Sequence, residues 1–571
     1  MALTSASAVA AFGAKAKDKL KNPSATGSPE DQLRAPFEQL LSDFAELAGL
    51  RRSDVVAVGE SSLGDLKTRP DYAVTVRALV GHVEIKAPGK GADPRKFKDP
   101  HDKAQWEKLR SLPNIIYTDG NEFSRWESGN LADGVIRLVG DIESSGDKLQ
   151  PARGLLGLFE KFFQWEPIPP RNARELAHVS ARLCRLLREE VSEQLARGSE
   201  ALTALATDWR KLLFPDASDD RFADGYAQAV TFGLLVARAK EIPLTGGLHQ
   251  VSVELGKSNS LIGAALRLIT DNAANEATLK TSISVLIRVL DTVDWQKISK
   301  GDADAWLYFY EEFLDVYDRK LRRLTGSYYT PPEVINAMVG FVDEALRSKR
   351  FSCHRGLAAE SITLVDPAVG TGTFLLGVLR KIAATVEEDE GRGAVVGAIT
   401  AAVKRLIAFE MQLGSFAVAQ LRILAEIVEL TGAVPAEPLR MFVTDTLGNP
   451  NHEFEWIPAG YLEIGNSQKE ANRIKRDEPI TIVIGNPPYK EKAKGRGGWI
   501  EGEHKEAEKS PPLADWIPPR DWGVGAHAKH LRNLYVYFWR WATWKVYDHG
   551  PGSKTGIVCY ITVAGFLNGP G

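Results

Sequence analysis

Cysteine is scarce in this chain: three in 571 residues, Cys184, Cys353 and Cys559, far apart and in no Cys-x-x-Cys or Cys/His spacing. Neither a disulfide framework nor a zinc site finds support, and a reducing cytoplasm is the expected compartment. Long hydrophobic runs are missing too. No apolar stretch approaches the roughly 18 residues a membrane span needs, so no membrane partner is expected. The opening MALTSASAVAAFGAKAKDKLK places its apolar residues before its positive charges, the reverse of a secretory signal. Charge of one sign is lacking as well: 71 Lys and Arg against 74 Asp and Glu leave a net charge of −3. Any nucleic-acid contact must therefore come from local basic clusters. The ten histidines form no HxH or HExxH pattern. A nucleotide-binding P-loop is also absent: LGKSNS (255–260) would need its first glycine where Val251 stands.

What is present is a soluble-protein composition, 44% hydrophobic and 25% charged. The length predicts about three or four domains at roughly 150 residues each. The Ala/Ser/Lys-rich residues 1–30 read as a disordered leader. Residues 31–150 read as a compact α/β unit: an amphipathic helix, PFEQLLSDFAELAGL from Pro36, then the alternating stretches YAVTVRALV and HVEIKAP. Beyond QWEPIPPRN, long amphipathic patterns predict an all-helical connector over 151–300. Residues 301–571 alternate strands (ITLVDPAV, RLIAFE, MFVTD, TIVIG) with helices, the rhythm of a doubly wound, parallel-rich sheet.

Two constellations carry chemistry. In LVDPAVGTGTFLLGVL an apolar strand passes into a helix through Gly370 and Gly372, which let backbone approach a ligand beside the donors of a helix N-terminus. A dinucleotide fingerprint would want a glycine two residues further on, where Phe374 and Leu375 stand. The second element is Asn486-Pro487-Pro488-Tyr489 after the strand TIVIG. Two prolines lock an extended backbone at a strand end, so that an amide and its neighbouring carbonyls become fixed acceptors for an exocyclic amino group. Such acceptors orient the nitrogen lone pair and stabilise the charge that develops on it, and Tyr489 can stack on a base.

DPAVGTGTF and IGNPPY resemble motifs I and IV of the amino-methylating, S-adenosylmethionine-dependent DNA methyltransferases. GSYYTPPEVINAMV (326–339) is similar to the segment that precedes motif I in the γ-type adenine-N6 enzymes. The resemblance implies a Rossmann-like domain acting on double-stranded DNA, with S-adenosylmethionine as cofactor. It implies that Tyr329, Thr330 and Pro331, together with Asp366, Pro367, Gly370, Gly372 and Phe374, hold the methionine end of that cofactor. Glu410 would take the ribose hydroxyls and Asp445 would lie beside the cofactor adenine, while Asn486, Pro487, Pro488 and Tyr489 would hold a flipped target adenine. Val369 stands where the family usually shows Cys. The chain ends at Gly571, where relatives continue into a target-recognition domain, so a fragment, or recognition delegated to a separate specificity or defence-system subunit, is expected. The helix NLYVYFWRWATWKV reads as buried packing in preference to a stacking surface for DNA, and the basic stretches 469–478 and 489–499 as phosphate contacts or a solvated loop.

Near the N-terminus, Asp71 and the strand residues Glu84-Ile85-Lys86 can converge on one Mg²⁺, with Lys86 placed to orient or deprotonate a water. This pattern resembles the PD-(D/E)xK nucleases, with Glu38 on the preceding helix and Gln105 on the following one. The order nuclease, connector, methyltransferase is similar to that of type IIG and IIL restriction-modification enzymes, and residues 309–334 to the type ISP branch. The expected function is site-specific adenine methylation joined to Mg²⁺-dependent cleavage. Modification without cutting, protein or RNA methylation by the same loop, and a non-catalytic DNA-binding scaffold remain open.

Overall fold

The computed structural model describes residues 3–21, 28–52, 55–59, 72–76, 78–167, 169–212, 217–256, 263, 266–267, 279–299, 304–318, 330–452, 462–502, 510–523, 525–548 and 555–564. The chain divides into two compact units, residues 1–169 with 279–292, and residues 170–278 with 293–571. The helical stretch 151–300 is therefore not a connector standing by itself: most of it belongs to the second unit. Among the described residues, no helix is long and apolar enough to cross a membrane.

The first unit is built on a mixed sheet in the order β1-β2-β3-β4-β5-β6, with β7 pairing β5. Its strands are β1 (Val55–Gly59), β2 (Tyr72–Val76), β3 (Ala78–Ile85), β4 (Ile115–Thr118), β5 (Glu122–Glu127), β6 (Asn130–Leu131) and β7 (Ile136–Arg137). β1 to β3 form an antiparallel meander, whereas β4 runs parallel to β3. That parallel step requires a crossover, supplied by the helix Pro100–Leu109. Val83 and Ile85 of β3 enter a core with the helices Pro29–Leu47 and Leu155–Phe163, so strand alternation sends Glu84 to the opposite face.

The expected disordered leader is corrected here. Ser5–Leu20 is a helix, opened by a capping box in which the Ser7 amide donates to Thr4 Oγ1 at 3.1 Å. Ala8, Val9, Phe12 and Ala16 fall on one helical face, buried against Leu33, Phe37 and Phe44. Small alanines on that face keep its periodicity faint in the sequence, yet they let the helix pack closely.

The second unit holds a five-stranded, wholly parallel sheet in the order β10-β9-β8-β11-β12. The strands are β8 (Leu364–Asp366), β9 (Leu406–Glu410), β10 (Arg440–Val443), β11 (Ile482–Gly485) and β12 (Ile557–Tyr560). In chain order this is 3-2-1-4-5, the doubly wound arrangement, whose direction reverses between β8 and β11. Val365, Ile407, Phe409 and Val483 form one core with the helices Leu462–Asp477 and Leu534–Thr543. Tyr537 and Trp541 lie inside it, so the aromatic helix packs as core. The helices Pro332–Arg347, Thr373–Glu390 and Leu413–Thr431 pack on one another outside that core. The helices Ala173–Ala196, Asp219–Ala239 and Ala305–Tyr317 form a bundle joined to the last of these, with Tyr310 Oη and Ser415 Oγ at 2.6 Å.

Candidate active site

A doubly wound sheet opens a crevice at the carboxyl ends of its strands where the order reverses, and both glycine turn and proline-braced loop lie there. Asp366 ends β8, and Asn486 directly follows Gly485, the last residue of the neighbouring β11. The two strands touch so closely that a Cβ at Gly485 would stand 2.7 Å from Asp366 Oδ1, which explains a glycine there. Past Asp366 the chain turns through Gly370 (φ +55°) and Gly372 (φ +86°), left-handed conformations that L side chains resist, into the helix Thr373–Glu390. A Cβ at Gly372 would also press on Ala419 at 3.3 Å, whereas at Gly370 it would meet nothing nearer than the Ala368 carbonyl, at 3.9 Å.

The turn is tied to its neighbours from three sides. The Val369 amide donates to the Phe409 carbonyl at 3.0 Å, and the Gly370 amide to Glu410 Oε2 at 2.9 Å. Glu410 Oε1 accepts from the Met411 and Gln412 amides, both at 2.8 Å. Thr446, just past β10, donates to the Pro367 carbonyl. Phe374 is buried in the first turn of the helix.

Among the described residues, no cation pairs with the carboxylates of this corner. Asp366 is 1% exposed; its Oδ1 accepts from the Ala368 amide at 3.1 Å, and its Oδ2 has no partner among the described residues. Burial, with Glu410 nearby, pushes its carboxyl up to about 8, despite the Ala368 amide. Burial likewise pushes Glu410 up to about 7, against the three amides that favour its charge.

On the other side of the crevice the Asn486 amide is held at both ends. Its Nδ2 donates to Thr330 Oγ1 at 3.3 Å, and its Oδ1 accepts from the Tyr489 hydroxyl. Thr330 is buried, and exposed Pro331 leads into the helix Pro332–Arg347. The structure thus joins Thr330 to Asn486 across 156 residues of chain. Pro487 is buried and Pro488 half-buried. Tyr489 packs on the core, and burial lifts its hydroxyl to about 12. Asp445 follows β10, and its Oδ1 accepts from the Leu447 amide at 3.0 Å. Tyr329 lies outside the described residues.

Among the buried cations of this unit, Lys475 and Arg422 were not legible as such. Lys475 sits in the basic stretch 469–478, but its Nζ turns inward, to Thr444 Oγ1 at 2.8 Å and the Asp445 carbonyl at 2.7 Å, over the Phe409 ring. Burial lowers it to about 8, against the pull of Asp445. Arg473 and Arg476 pair with Glu470, Glu478 and Asp477. Both arginines thus have acidic partners within 469–478, and the solvated-loop reading of that stretch is corrected: nearly all of it lies on the helix Leu462–Asp477. Arg422 is buried too, and its Nη1 donates to the Thr371 carbonyl at 2.7 Å.

Residues 302–514 match the protein family described as N-6 DNA Methylase. That stretch is an N6-adenine DNA methyltransferase domain. The family implies S-adenosylmethionine as methyl donor. No curated protein matches the sequence. Among solved structures, the chain is similar to a DrdV–DNA complex (20% identity, TM-score 0.47), covering 98% of this chain and 50% of that one. It is similar to the ATP-dependent type ISP restriction-modification enzyme LlaBIII bound to DNA (16% identity, TM-score 0.47), covering 72% of this chain and 26% of that one. A third is the type IIL restriction-modification enzyme MmeI in complex with DNA (15% identity, TM-score 0.27), covering 67% and 49%. The chain thus spans half the length of the first and about a quarter of the second.

In the first unit, Glu84 and Lys86 lie buried at the end of β3. Lys86 Nζ meets Glu84 Oε1 at 2.9 Å and Asp102 Oδ1 at 3.0 Å, and donates to Gln105 Oε1. Asp102 also takes Lys90 Nζ at 2.8 Å. Burial alone would lower the Lys86 ammonium, but Glu84 and Asp102 raise it well above the ordinary lysine value. Held between the two carboxylates, Lys86 is favoured as the ammonium. Asp102 was not anticipated, because an acidic residue in a helix carries no mark of which strand it faces. Glu38 is exposed; from the same helix it is Glu30 that reaches this end of β3, accepting from the Ala87 amide at 3.0 Å. Asp71 lies outside the described residues. Among the described residues, no group of three or more His, Cys, Asp or Glu is placed to hold a metal.

Proposed function

We propose that the second unit transfers a methyl group from S-adenosylmethionine to the N6 amino group of adenine in double-stranded DNA. One observation carries this: the glycine turn and the Asn486 loop stand at adjacent strand ends, at the reversal point of a parallel sheet. The residues fit the cofactor. Asp366 Oδ2, without a partner among the described residues, suits a cationic group, and the missing side chain at Gly370, where the nearest atom to a Cβ would be the Ala368 carbonyl at 3.9 Å, lets a ligand lie against backbone. Asp366, Pro367, Gly370, Gly372 and Phe374, with Tyr329, Thr330 and Pro331, would seat its methionine end. Glu410 would take the ribose hydroxyls, and Asp445 would lie beside the adenine.

When bound, S-adenosylmethionine supplies a methyl group made electrophilic by its sulfonium. Asn486 Oδ1 and the Pro487 carbonyl accept the two N–H bonds of the target amino group, turning its lone pair toward the turn and stabilising the charge that grows on nitrogen. Prolines 487 and 488 keep these acceptors from relaxing. Thr330 fixes which end of the Asn486 amide faces the base. Tyr489, whose hydroxyl now donates to Asn486 Oδ1, moves off that acceptor and stacks on the flipped adenine. The test is incubation with DNA and methyl-labelled S-adenosylmethionine, followed by digestion to nucleosides. Label on N6-methyladenine is expected; label confined to RNA or protein would replace the reading.

A second reading concerns the first unit: a PD-(D/E)xK-type nuclease built on Asp71, Glu84 and Lys86, acting with Mg²⁺. Lys86, Glu84 and Gln105 gathered at one strand end favour it. Yet both described carboxylates, Glu84 and Asp102, are engaged by ammonium groups, and this set does not by itself fit a divalent cation; no metal-dependent step is derived. DNA cleavage in Mg²⁺ by the wild type, lost in a Lys86→Ala protein that circular dichroism shows to be still folded at the assay temperature, would support the reading. A wild type that never cuts would leave a modification-only protein, working with a separate specificity or defence-system subunit.

A further inference from the structure

The geometry points to Arg422 and Asp304 as positioning residues through which the helical bundle sets the shape of the cofactor turn. Thr371 is the crest of that turn, between two left-handed glycines. Arg422, 3% exposed on the helix Leu413–Thr431, places Nη1 on the Thr371 carbonyl at 2.7 Å, on Thr371 Oγ1 at 3.3 Å and on Thr373 Oγ1 at 3.2 Å. Its Nη2 meets Asp304 Oδ1 at 2.6 Å. Asp304 immediately precedes the helix Ala305–Tyr317, which is packed on the helix Ala173–Ala196. One planar guanidinium therefore spans the bundle and the turn.

Three features make this more than packing. Ala419, Arg422 and Ile423 share one helical face, and the first and last close on Gly372, so the guanidinium is delivered at a fixed height along the turn. Burial lowers the Arg422 pKa, and Asp304 acts against that, so the cation depends on its partner in the bundle. Finally, the Thr371–Gly372 peptide is held at both ends, its amide on the Val369 carbonyl at 2.8 Å and its carbonyl on Arg422, so the guanidinium is one of two ties that set the plane of the turn's central peptide. A lysine would keep the charge but lose the fork that serves Thr371 and Asp304 together.

The inference rests on the reading of this turn as the cofactor seat, and calorimetric titration of the whole protein with S-adenosylmethionine separates the two. If the wild type binds, Arg422→Lys is expected to weaken binding about 10-fold and Asp304→Asn about 3-fold, and the double variant to lose less than the product of the two. Thr373→Val, a mild change that removes one acceptor, is expected to weaken binding about 2-fold and guards against misfolding of the arginine variant. Melting temperatures are read in parallel. Weakened binding in Asp304→Asn and Thr373→Val at unchanged melting temperature supports the inference. Variants that melt earlier yet bind with wild-type affinity overturn it and leave the cofactor seat intact. A wild type that binds nothing overturns both.

Discussion

Both units gather carboxylates at a strand end, and they treat the charge in opposite ways. At the end of β3, Glu84 and Asp102 are neutralised from within by Lys86 and Lys90. At the ends of β8 and β9, Asp366 and Glu410 receive only backbone amides among the described residues, and burial drives both upward, to about 8 and about 7. In the first cluster the ammonium groups already offset the carboxylate charge. A buried carboxylate oxygen without a partner is stabilised by whatever cation enters, and the two sites should therefore answer mutation and pH with opposite signs.

The largest expected effect is in stability. Lys86→Ala leaves Glu84 and Asp102 buried against each other and should cost about 3–5 kcal/mol, read as a lowered denaturant midpoint for the first unit. Equal stability of the variant would mean that these carboxylates are not dependent on the ammonium, and the contrast would disappear. Next is Asn486→Ala, expected to slow methyl transfer about 100- to 1000-fold while S-adenosylmethionine affinity stays within a few-fold. Comparable losses in both would place Asn486 in the cofactor seat instead of opposite it.

Asp366→Asn sharpens the contrast by its sign. A carboxyl whose folded-state pKa lies above its unfolded value costs nothing at low pH. Its cost appears as pH rises from about 4 and is complete above about 8. The variant should thus be more stable than wild type at pH 8, by on the order of 1 kcal/mol, and equal to it near pH 4, while binding the cofactor more weakly. Smallest is Thr330→Val, expected to reduce turnover about 3- to 10-fold through a misoriented amide, with Thr330→Ser restoring most of it. Loss without recovery in the serine variant would indicate packing in place of amide orientation.

How much of this was legible in the sequence follows from range. Asp366, Gly370, Gly372 and Asn486-Pro487-Pro488-Tyr489 are backbone devices at strand ends, written in short runs of sequence, and the alternation of their strands with helices marked a doubly wound sheet without giving its strand order. Glu410 and Asp445 were legible as strand-end acids, but that Glu410 would receive the Gly370 amide 40 residues away was not. Arg422, Asp304, Lys475 and Asp102 were missed for the same physical reason: each is an ordinary charged residue whose meaning comes from a partner distant in sequence or hidden by the fold. The helix Ser5–Leu20 was misread because alanines bury well while contributing little hydrophobic contrast. The helical stretch 151–300 was set apart because a sequence shows which helix face is apolar, not which neighbour covers it.

The claim that the β8–β9 corner is a cation-deficient cofactor seat is tested most directly by titrating the wild-type protein with S-adenosylmethionine between pH 6 and 8.5, in buffers of different ionisation heat. Binding should tighten as pH rises and should release protons near neutral pH, because the incoming cation favours the ionised Asp366 and Glu410. Affinity independent of pH with no proton release, or no binding at all, would contradict it.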